Sequence, residues 1–233
     1  MVQSFCMVLW CGPQKMSTSD MADVSYKIIK TLKEFGEELD HKYLKVHKKK
    51  DAKEFDFTKE NLEKLIEKSI NKEGKVLFND LPRRLGFFSS MNEDKSSGLS
   101  IGIGGTNPAL NNSVTISLPY GGFSGFADRK SDFYNLFKNL VSIFKPYFAF
   151  VYNNFNKQLA EDFWSNKPTY VHWLNFYSNA TIDIIGKKRI ESLDNVEWVK
   201  SGCFIKLQDE PIDIENPEHL LLQKRVSEQM ELI

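Results

Sequence analysis

The chain has 233 residues, 41% of them hydrophobic and 27% charged, with 31 basic and 31 acidic side chains. That size and composition allow a core that needs neither metals nor disulfides, and they exclude a disordered or low-complexity protein. A formal charge of zero supplies no basic excess for phosphate neutralisation, which argues against a dedicated nucleic-acid binder.

Eighteen Phe, eight Tyr and four Trp predict a core built from flat rings, a composition that suits strands. Cys6, Cys11 and Cys203 are too few and too scattered for a disulfide framework, so reduced thiols and a cytoplasmic location are expected. Residues 1–11 hold an apolar run without a basic n-region, and Gly12-Pro13-Gln14-Lys15 interrupts it, so no secretory leader is expected. No stretch approaches the length of a membrane span.

Residues 4–10 are apolar and β-prone and stop at Gly12-Pro13, which predicts a first strand buried on both faces. Ser17 to Asp20 offer N-caps for a helix over 21–39, with Met21, Val24, Ile28, Leu32, Phe35 and Leu39 on one side. Residues 41–53 contain six lysines, His41 and His47, and read as a solvated loop or helix end. Thr58 caps a second helix carrying Leu62, Leu65, Ile66 and Ile70 and closing near 72–74. The period then changes. Segments 86–91, 99–103 and 113–118 favour strands, with Leu99, Ile101 and Ile103 alternating with Ser100, Gly102 and Gly104. Turn residues between them predict a three-stranded antiparallel meander. A glycine-rich loop follows at 120–125, and Asp128 is expected to cap a third helix that ends at Lys145-Pro146. Beyond it the reading is a strand at 148–152, a short helical stretch around 157–164 and a strand at 170–177. Residues 180–194 are ambiguous, and a hairpin is expected around Ser201-Gly202. The last helix starts clearly, with Asn216 as N-cap, Pro217 in the first helical position and Glu218 in the first turn. No linker or repeat divides the chain. One α+β domain over 1–233 is expected, a largely antiparallel sheet packed by amphipathic helices.

The search for chemistry finds little. Gly102-Ile103-Gly104-Gly105 lacks the order of a phosphate-binding loop and runs into Asn107-Pro108 instead of a helix, so close packing explains it better. His41, His47, His172 and His219 stand at no metal-ligand spacing to one another or to a cysteine. No cofactor and no metal are expected. Two charged patches remain. Lys42, Lys45, Lys48, Lys49, Lys50 and Lys53 could touch phosphate, with Tyr43 and Phe55 beside them, although a solvated segment accounts for them as well. Asp209, Glu210, Asp213, Glu215 and Glu218 place five acids in ten residues without a base. Such a segment suits a basic partner, or else simply favours the helix start that follows.

Several stretches, in a consistent order along the chain, carry a family likeness. They are Trp10-Cys11-Gly12-Pro13-Gln14-Lys15, Leu85-Gly86-Phe87, Asn112 to Pro119, Trp173-Leu174-Asn175-Phe176-Tyr177-Ser178 and Asn216-Pro217-Glu218-His219. On these the chain resembles the Immunity protein 52 family of bacterial polymorphic toxin systems. It departs from the family's Trp-Gly-Pro-Arg pattern, since Cys11 intervenes and Gln14 stands in the place of the arginine. The resemblance implies a non-enzymatic cytoplasmic antitoxin. Its partner would be a toxin encoded by the neighbouring gene, with a restriction-endonuclease-like nuclease domain, and neither membrane nor direct nucleic-acid binding is expected. The acidic residues Asp209 to Glu218 would then face that toxin. Two rivals stand beside this reading. One is an enzyme with a Cys/His pair, such as Cys203 and His172, or with two carboxylates. The other is a weak nucleic-acid binder using the lysines from 42 to 53.

Overall fold

A computed structural model describes residues 4–119, 126–156 and 168–233. The first strand lies at its centre. β1 (Phe5–Cys11) is buried at all seven positions, as an uncharged run ended by Gly12-Pro13 requires. It pairs with β7 (Asn112–Ser117) on one side and β8 (Phe148–Asn153) on the other, so both of its faces need cover.

From β7 the sheet continues outward through β6 (Gly98–Ile103) and β5 (Arg83–Phe88) to a two-residue edge strand, β2 (Tyr43–Leu44). From β8 it continues through β9 (Leu174–Ser178) and β11 (Gly202–Lys206) to the other edge, β10 (Val196–Val199). Every neighbouring pair in this nine-stranded sheet is antiparallel. The expected meander and the expected hairpin around Ser201-Gly202 are both present. A separate two-stranded hairpin, β3 (Asn71–Glu73) and β4 (Val76–Phe78), turns at Gly74 with φ +57°. The second helix, expected to close near 72–74, stops at Lys68, and Asn71–Glu73 pair instead as a strand too short to show a period.

Leu85, Phe87, Leu99, Ile101, Val114 and Ile116 share one face of the sheet by the period-two rule, and all are buried. Helices α1 (Thr18–Phe35), α2 (Lys59–Lys68) and α3 (Lys130–Phe144) cover this face with their apolar sides. The start of α1 is a capping box. Ser17 Oγ accepts from the Asp20 N–H at 3.1 Å, and the Asp20 carboxylate accepts from the Ser17 N–H at 3.3 Å. The helix ends at Gly36, short of the expected 39, and Glu37–Leu39 form a 3-10 turn. Asp128 does not cap α3; it lies in a preceding 3-10 turn, Phe126–Arg129. Arg129 occupies the junction instead, donating to the Phe35 carbonyl and stacking 4.2 Å from the Phe35 ring. That contact ties the end of α1 to the start of α3.

Among the described residues the opposite face is covered over its second half only. The ambiguous stretch 180–194 forms α4 (Asn179–Ile185) and α5 (Lys187–Glu191), separated by Gly186 at φ +100°. α4 packs beside β9 and β11, and α6 (Pro217–Gln229), which starts at the expected Asn216 cap, sets Leu222 and Val226 near Ile205 and Leu207. Residues 41–53 are not one solvated loop. His41 is wholly buried, and Tyr43–Leu44 joins the sheet because the Tyr43 ring stacks on Phe88 at 5.3 Å. The glycine-rich loop at 120–125 and the helical stretch at 157–164 fall outside the described residues. Among the described residues no helix is long and apolar enough to cross a membrane.

Candidate functional site

The acidic segment follows β11 and leads into α6. It is held as an ordered loop by side chains from elsewhere. The Trp173 indole N–H donates to the Gln208 carbonyl at 3.1 Å, Asn153 donates to the Ile212 carbonyl at 3.1 Å, and His219 Nδ1 accepts from the Asp213 N–H at 3.0 Å. Asp209 pairs with Lys206 at 2.6 Å and Glu210 pairs with Lys130. Lysine therefore sits against the first two acids, and the pairing lowers the Asp209 pKa. Asp213 accepts from the Glu215 N–H at 2.8 Å, and Glu218 is exposed in the first turn of α6. Ile212 is buried beneath the loop and Ile214 is half-buried.

The glycine run is a packed corner. A Cβ on Gly104, at φ +75°, would lie 2.2 Å from Met21 Sδ, and one on Gly105 would lie 2.6 Å from Pro82 Cγ. Asn112, fully buried, closes the corner. Its amide donates to the Gly12 carbonyl at 2.7 Å and the Gly105 carbonyl at 3.0 Å, and its oxygen accepts from the Gly105 N–H at 2.7 Å. Two of the family-like stretches, Trp10 to Lys15 and Asn112 to Pro119, thus meet in a backbone clamp.

Neither Cys203 nor His172 is set up for nucleophilic work. Burial pushes the Cys203 thiol up to about 12 and the Cys6 and Cys11 thiols up to about 11. A thiol so protonated is a poor nucleophile at neutral pH. His172 is wholly buried and lies in an aromatic stack, 4.5 Å from the Phe150 ring centroid. We therefore expect the three cysteines to resist a chromogenic disulfide reagent in the native protein near neutral pH, and all three to react once guanidinium unfolds it. A thiol that reacts quickly in the native protein would revive the cysteine-enzyme reading. Among the described residues no three His, Cys, Asp or Glu side chains come together in a set that could hold a metal ion.

One surface was not singled out from the sequence. On the face opposite α1 and α2, the β5, β6 and β7 positions are Gly86, Gly98, Ser100, Thr115 and Ser117, and these small residues floor an open groove of about 420 Å³. Residues 45–49 form its wall, anchored where the Lys45 N–H donates to the Gly86 carbonyl at 2.8 Å. The available signals were the polar small residues alternating with Val114 and Ile116, and the lysines before position 50. Only the register shows that they share a face.

These features define an α+β protein distinguished, among its described residues, by two charged surface regions. The chain belongs to the Immunity protein 52 family, whose model matches residues 3–232, essentially its whole length. Its fold is similar to that of the Pseudomonas aeruginosa T6SS protein PA0821, with a TM-score of 0.60 at 12% identity over 98% of this chain and 76% of that one. At that identity the likeness concerns the fold alone. No curated protein matches the sequence.

Proposed function

We propose that this protein acts as a stoichiometric, non-enzymatic inhibitor that binds a cognate toxin, the product of the neighbouring gene, in the cytoplasm. The observation that carries the reading is the family match over residues 3–232. Three free, buried thiols accord with a reducing compartment. The toxin class we favour is a nuclease. A nuclease presents positive potential to its substrate, and Asp209, Glu210, Asp213, Glu215 and Glu218 offer a negative, ordered loop to meet it. Fixing the loop in advance reduces the ordering cost of association. We take residues 1–233 to act as one unit, without direct contact to nucleic acid.

Titrating the purified toxin with this protein should abolish toxin activity at one equivalent, with both proteins eluting as one complex. Failure to co-elute, with the toxin active in excess inhibitor, would sink the reading. Inactivation by far less than one equivalent would instead identify an enzyme that modifies the toxin. Reversing Asp213 and Glu215 to lysine should slow association about tenfold if the loop steers a basic partner; an unchanged rate removes this loop from the interface.

A further inference from the structure

The groove on the open face of β5, β6 and β7 is concave and carries basic side chains. Among the described residues its lining includes Lys45, His47 and Lys49 and no carboxylate. Neither lysine is paired with an acid among the described residues, and Lys49 lies 5.2 Å from the Phe88 ring centroid, placed by a cation–π contact. Ser100 and Thr115 place hydroxyl-bearing side chains on its floor. Lysines and hydroxyls on one concave surface can all donate hydrogen bonds to a carboxylate. The acidic loop contrasts with this, since lysines already pair with Asp209 and Glu210.

The shape narrows the occupant. Gly86 and Gly98 carry no side chain, so an extended backbone can lie close to the strands. Phe88, with Tyr43 stacked behind it, gives one end an aromatic surface. The register places this groove relative to the acidic loop. Phe88 pairs with Gly98, Gly98 with Ser117, and Ser117 with Cys6; Lys206, just before the loop, pairs with Leu174 and lies at the same end of the sheet. Five strand spacings separate β6 from β11, roughly 24 Å at about 4.8 Å each.

We infer that this groove is a second docking site, taking an extended acidic segment of the same toxin protein while the Asp209 to Glu218 loop meets its basic surface. The inference rests on the toxin-binding reading above. A partner gripped this way must carry an acidic segment as well as a basic surface, which excludes most proteins that are merely basic.

The test measures binding of the purified toxin to four forms of this protein: wild type, Lys45→Glu with Lys49→Glu, Ser100→Tyr, and Lys68→Glu as a control on α2 away from the groove. Ser100 is exposed on a strand, where tyrosine is well tolerated, so that variant fills the groove without touching the core. The charge reversal should weaken binding about tenfold or more, mainly through slower association. Ser100→Tyr should weaken it by a comparable factor through faster dissociation, and Lys68→Glu should match wild type. Wild-type binding with both groove variants unaffected overturns the groove and leaves the toxin reading standing. No binding by wild type overturns both. If a single-stranded oligonucleotide displaces the toxin from wild type but not from the charge-reversed variant, the groove's occupant is nucleic acid and the inference fails.

Discussion

Trp173→Ala is expected to cost about 3–5 kcal/mol of folding stability, the range for removing a large ring from a closed core. The indole is almost wholly buried, stacks on Phe133 with centroids 5.7 Å apart and planes 5° from parallel, and meets Phe5 at 6.5 Å. It therefore joins α3, the first strand and the lead-in to β9 at one point. Urea denaturation should show a lower midpoint with an unchanged slope, since the surface exposed on unfolding hardly alters. Trp173→Phe separates packing from tethering. It keeps most of the ring contact and loses the hydrogen bond to Gln208, for about 1 kcal/mol. Faster amide exchange over residues 208–213 should accompany it, because that bond anchors the start of the acidic loop. A loss below about 1 kcal/mol for the alanine variant would show that Trp173 is not a packed junction.

The second large effect is on acid stability. Burial lowers the His41 pKa from 6.5 to about 4, with backbone contacts at Leu39 and Gly98 only partly opposing it. Above about pH 6.5 the imidazole is neutral in both the folded and the unfolded chain, so the group leaves stability unchanged there. Below that pH the unfolded chain takes up a proton that the native protein refuses. Stability should fall from near pH 6.5 down to near pH 4, by an amount on the order of 3 kcal/mol. His41→Gln places an uncharged side chain beside Ser97, whose hydroxyl lies 3.1 Å from His41 Nε2. That variant is expected to lose the dependence over this window even if it is less stable at neutral pH. A wild-type stability curve flat between pH 6.5 and 4 would show that His41 titrates normally or makes no difference.

How far function was legible differs from residue to residue. The acidic run from Asp209 to Glu218 is contiguous, so its charge and the Asn216-Pro217 helix start are readable from the order of residues alone. Its rigidity is not, because Trp173, Asn153 and His219 reach it from separate parts of the chain or across the helix start. The basic groove was half visible. Lys45 and Lys49 belong to a cluster that stands out in the sequence, while Gly98, Ser100, Thr115 and Ser117 are too ordinary to draw notice. Antiparallel register pairs Gly98 with Ser117 and Ser100 with Thr115, and the Lys45 bond to Gly86 sets them beside lysines 49 to 72 positions earlier, a distance no local pattern spans.

Local forces decided what the residue order alone determined. Apolar spacing marked α1, α2 and α3, alternation marked the meander, and Ser17, Thr58 and Asn216 marked helix starts, because each acts within a few residues of itself. Tertiary structure decided the rest. It buried His41 inside a lysine-rich stretch, replaced the expected Asp128 cap with Arg129 reaching back to α1, and left one half of one sheet face open among the described residues. The physical reason is that burial, pairing and exposure depend on which distant elements share a space, and that is settled only when the sheet closes around β1.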